Sequence, residues 1–98
     1  MNEPYQQPEP LAEVIHEMRA MVRNGASVAQ LVDRMQGRTG SKPDACLPVI
    51  WYFRKAFNLP LKVVLPLREW LLERNDEEIN DLLLPEIAKA MAEPDVFE

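Results

Sequence analysis

Ninety-eight residues leave room for one domain, and a chain of that size buries about 60–65% of its unfolded surface without disulfides or metals. Apolar residues make up 47% and charged residues 28%, an ordinary globular balance that argues against both disorder and membrane residence. The net charge of −5 is unevenly spread: residues 1–18 carry four acids and no base, 19–68 nine bases and two acids, and 69–98 ten acids and two bases. Two explanations stay open, namely pairing of opposite charges between helices and a charged surface that serves binding.

Residues 1–9 read as a polar, acidic tail carrying Pro4 and Pro8, unlike the basic start and apolar run of a signal peptide. After it, Leu11, Val14, Ile15, Met18, Met21 and Val22 recur at helical spacing and predict a first helix, with Pro10 suited to its first turn. Asn24-Gly25 ends that helix. Ser27 and Gln30 form a capping box ahead of Val28, Leu31, Val32 and Met35, the stripe of a short second helix that Gly37 is expected to stop. Arg38 to Pro43 then reads as a mobile basic loop.

A third helix is predicted from about Asp44 to Phe57, with Pro48 in its first turn. Its run Leu47-Pro48-Val49-Ile50-Trp51-Tyr52-Phe53 is apolar on every side, as in the buried central helix of a bundle. These residue types also favour strands, but no second strand is evident to pair with one. Asn58 suits a left-handed helix end, and Pro60 starts a helix carrying Val63, Val64, Leu67, Trp70 and Leu71, which Pro66 must kink or split. Asn75 and Glu78 form a second box-like cap. Ile79, Leu82, Leu83, Ile87, Ala90 and Met91 keep one phase through Pro85, as a bent helix or two stacked ones would, and residues 94–98 form a short acidic tail. The expected fold is all-α, a compact bundle of five to six short helices with proline kinks spanning residues 10–93 as a single domain.

Reactive side chains are scarce. His16 is the only histidine and Cys46 the only cysteine, too few for a structural zinc site, and no disulfide can form within the chain. Glu13 and His16 have the spacing of one half of a di-iron helix motif, which needs a second copy and further glutamates. Three glycines at unsuitable spacing make no phosphate-binding loop. These counts predict a non-enzymatic protein without cofactor or metal. No run approaches the roughly 20 apolar residues of a membrane helix, and a reducing, cytoplasmic location without membrane attachment is expected.

Tyr52-Phe53-Arg54, Ala56-Phe57, Leu59 and Leu61, followed by Pro66 and by Trp70 four residues after it, form a skeleton covering about a fifth of the chain. It resembles small helical bacterial proteins, some of them encoded beside polymorphic toxins as presumed immunity proteins. Asn58 stands where that pattern has glycine, and Arg68-Glu69 where it has small residues. The resemblance implies fold more than target, because most of the matching residues are core types.

The leading expectation is a protein-binding module, an immunity- or antitoxin-like inhibitor presenting an acidic helical face to a basic protein partner, with Glu73, Asp76, Glu77, Glu78 and Asp81 as the working residues. Exposed acids at a helix start also have a purely structural explanation, since negative charge there suits the helix dipole. A helix-turn-helix DNA-binding regulator using Arg38, Lys42, Arg54 and Lys55 is the alternative, weakened by a long second loop and by the apolar would-be recognition helix. A homodimeric adaptor of a phage or secretion system is the third.

Overall fold

The computed structural model describes residues 10–92, so the expected tails at 1–9 and 94–98, and Glu93 at the domain's end, lie outside the described residues. It is all-helical in the order α1 (Ala12–Arg23), α2 (Val28–Thr39), α3 (Cys46–Phe57), α4 (Leu61–Val64), α5 (Pro66–Glu73) and α6 (Asp76–Ala92). Leu11 caps α1, which leaves Pro10 one residue before the cap rather than in the first turn. Gly25, at φ +85°, turns the chain out of α1. The capping box at the start of α2 is complete, with the Ser27 hydroxyl accepting from the Gln30 N–H and the Gln30 side chain accepting from the Ser27 N–H. Val28, Leu31, Val32 and Met35 are fully buried, as their spacing predicts.

Gly37 does not stop α2. The helix continues two residues to Thr39 and ends at Gly40, whose φ of +73° places the left-handed turn there. Glycine inside a helix costs about 1 kcal/mol relative to alanine. The two added residues offset that by placing Arg38 against Glu17 and the Thr39 hydroxyl on the Met35 carbonyl at 2.8 Å. Arg38 is therefore helical rather than part of a loop. The Gln36 side chain holds the following turn by donating to the carbonyls of Lys42 and Pro43.

α3 packs against all five other helices and so occupies the centre, yet it is not buried all round. Val49, Ile50, Tyr52, Phe53, Ala56 and Phe57 form the core face, while Leu47 is 62% and Trp51 41% exposed. The helix starts at Cys46 rather than Asp44, with Pro48 in its first turn as expected. Asn58 adopts the left-handed conformation at φ 53°. Pro66 splits its helix: the chain turns at Leu65, and Pro66 becomes the first residue of α5, where its missing N–H leaves no bond unmade. Pro85 by contrast sits inside one continuous α6. Ile79, Leu83 and Ile87 form the buried stripe of α6, and Leu82, expected among them, is 48% exposed.

Candidate functional site

Two arginines of α2 pair with two glutamates of α1. Arg34 and Arg38 both pair with Glu17 across the two helices, and Arg38 also reaches Glu13 at 3.5 Å. Asp33, on the same helix, pairs at 3.6 Å with Arg74, which lies between α5 and α6. Internal pairing thus accounts for part of the opposition between the acidic start and the basic middle of the sequence.

Arg74 itself closes α5 in the left-handed conformation at φ 57°, and its guanidinium lies 4.2 Å from the centre of the Trp70 ring. Sequence offers no sign of this, because arginine has no preference for positive φ. The turn brings Trp70 Nε1 within 2.9 Å of Asp76 Oδ1, a donor that would otherwise be left without an acceptor in a side chain only 4% exposed. Asn75 accepts from the Glu78 N–H at 3.2 Å, fixing the first turn of α6.

Glu73, Asp76, Glu77, Glu78 and Asp81 are all exposed, and among the described residues none of them forms an ion pair. They do not all share one face. A helix turns about 100° per residue, so Glu77, Glu78 and Asp81 fall within about 100° of one another on the side away from the Ile79–Leu83–Ile87 stripe, with Glu78 nearest Leu82 and the hollow against α5. Asp76 sits over the core side and is committed to Trp70. Glu73 and Glu78 meet Glu69 around a small hollow of about 80 Å³ between α5 and α6.

That hollow opens into a larger groove of about 730 Å³, with which it shares Pro66, Glu69 and Leu82. Leu65, Leu72 and Leu82 line the groove while 37%, 78% and 48% exposed. Leu65, Glu69 and Leu72 follow at i, i+4 and i+7 and so form a row on one side of the α4–α5 segment. Half-buried Cys46 and exposed Lys62 stand at the far end. The groove and its hollow therefore combine an apolar wall with the carboxylates of Asp44, Glu69, Glu73 and Glu78 and the two cations Lys62 and Arg68.

The basic set is divided. Arg38 is engaged by Glu13 and Glu17, and Lys42 lies exposed in the turn before α3. Arg54 and Lys55 line a separate hollow of about 350 Å³ with Trp51, and Arg54 Nε donates to the Leu59 carbonyl at 3.2 Å. The buried face of α3 leaves Leu47, Trp51, Arg54 and Lys55 as its outward strip, so the four cations named by sequence do not converge.

His16 is exposed on α1. Among the described residues no three His, Cys, Asp or Glu side chains are grouped to hold a metal ion, and no helix is long and apolar enough to cross a membrane. No family model, curated protein or solved structure matches the chain. Sequence reasoning missed the groove's leucines. Leu72 carried a usable signal, since it falls outside the Leu67–Trp70–Leu71 stripe, but Leu82 lies one step from the buried phase and looks like core.

Proposed function

We propose that this chain is a non-enzymatic protein-binding module, an inhibitor of the immunity or antitoxin kind, that engages a basic protein partner through the acidic surface of α5 and α6. One contrast carries this reading. Glu13, Glu17 and Asp33 are neutralised by arginines within the molecule, while Glu69, Glu73, Glu77, Glu78 and Asp81 form no ion pair among the described residues. Uncompensated charge gathered on one side raises the encounter rate with an oppositely charged surface and makes that rate sensitive to salt. A basic toxin encoded alongside its inhibitor is a partner of this chemistry.

The test is charge reversal at Glu73, Glu77, Glu78 and Asp81, leaving Asp76 in place because it holds Trp70. Association with the product of the adjacent gene is measured at several salt concentrations. Reversal is expected to slow association at least about tenfold at low salt and to flatten its salt dependence. Unchanged association would remove the proposal.

A further inference from the structure

The exposed leucines of the α5–α6 groove are not needed for charge attraction, and they say more about the partner than charge does. Leu72 leaves most of its side chain in water although the Trp70–Leu71 core is adjacent. Leu65, Leu72 and Leu82 gather along one groove instead of being scattered, and Glu69, Glu73 and Glu78 rim it. Scattered exposed apolar residues are ordinary, but a contiguous apolar groove with a polar rim marks an interaction surface.

We infer that this groove receives an amphipathic helix of the partner, with apolar residues at i, i+3 or i+4 and i+7 seated between Leu72 and Leu82 and with Lys or Arg along its flanks. Helical shape follows from the walls. α5 and α6 present ridges and grooves that mesh with a third helix, and the described residues include no strand whose edge an extended segment would join. Leu65 and Leu72 lie two turns apart, about 10 Å along the axis, so about three turns of partner helix cover the site.

Charge selects the occupant. Across the groove and its hollow, Asp44, Glu69, Glu73 and Glu78 outnumber Lys62 and Arg68, and the chain as a whole carries −5. A second copy would bring that negative surface against itself, whereas a cationic helix relieves it. Because Glu73 and Glu78 stand at the end away from Lys62, the partner's densest basic residues face the α5–α6 turn.

This inference rests on the acidic-surface reading, and its test keeps the two apart. The full chain carrying Trp51→Phe, so that Trp70 beside the hollow is the only tryptophan, is titrated with a designed 14-residue peptide. The peptide has leucines at i, i+3, i+4 and i+7 and lysines on both flanks; a scrambled peptide of the same composition is the control. The helical peptide is expected to gain helicity on binding, to change the Trp70 emission and to slow alkylation of Cys46. Leu72→Ser and Leu82→Ser, at exposed positions that the fold does not require, should each weaken binding about tenfold, as should scrambling. Equal binding of both peptides, lost on charge reversal but indifferent to the two leucines, would overturn the helix inference while leaving the acidic surface standing. Binding indifferent to charge reversal would overturn both. A dimer by sedimentation equilibrium that Leu72→Ser dissociates would overturn the inference in favour of a second copy as occupant.

Discussion

α1 with α2 and α5 with α6 are both pairs of consecutive, contacting helices around the same central helix, but they treat their surfaces differently. In the first pair a complete capping box, four buried stripe residues of α2 and interhelical ion pairs hold the helices together. In the second, the carboxylates form no ion pair among the described residues and leucines stand in water, even though the helices are fixed by the Trp70–Asp76 hydrogen bond and the Asn75 cap. Surface spent on folding is unavailable for binding, so under the proposed function the first pair is the scaffold and the second the interface.

The largest test of that division compares equivalent truncations. Leu31→Ala, in the fully buried stripe of α2, is expected to cost about 2–5 kcal/mol, because it removes transfer energy and leaves a cavity. Leu72→Ala should change stability by less than about 0.5 kcal/mol. Urea denaturation reads both, and a loss above about 1 kcal/mol at Leu72 would mean that this leucine belongs to the scaffold.

A finer comparison lies within the acidic cluster. Asp76→Ala leaves the nearly buried Trp70 N–H without its acceptor and should cost about 1–2 kcal/mol. Glu77→Ala, one residue on and facing solvent, loses only its favourable place near the helix start, roughly 0.5 kcal/mol. Equal effects in thermal denaturation would remove the distinction between a structural and a free carboxylate.

How far the sequence foretold this follows the range of the forces involved. The capping box, the left-handed Asn58 and the stripe of α2 are local, set by residues within four positions of each other, and all appear where spacing puts them. Gly37 misled because a local penalty of about 1 kcal/mol was outweighed by contacts from Arg38 to a different helix. The acidic residues were readable as exposed, but not the turning of Asp76 to Trp70 or the gathering of Glu69, Glu73 and Glu78 around a hollow between α5 and α6. That arrangement depends on how α6 leaves the turn at Arg74, and the turn is held by a ring and a carboxylate from separate elements, Trp70 and Asp33.

Arg74 therefore gives the smallest and sharpest prediction, because it joins the two pairs. Replacing it with glycine relieves a left-handed residue, a gain of about 1 kcal/mol, but frees the unfolded backbone by roughly 0.5–1 kcal/mol. The same change removes the cation over Trp70, worth about 0.5–1 kcal/mol at an exposed site, and the pair with Asp33, worth less. The sum is a loss of at most about 1.5 kcal/mol by urea denaturation, and Asp33→Asn should account for only a minor part of it. If Arg74→Gly instead stabilised the protein, the contacts to Trp70 and Asp33 would contribute nothing, and the direction in which α6 leaves α5 would be owed to the Trp70–Asp76 hydrogen bond and core packing alone.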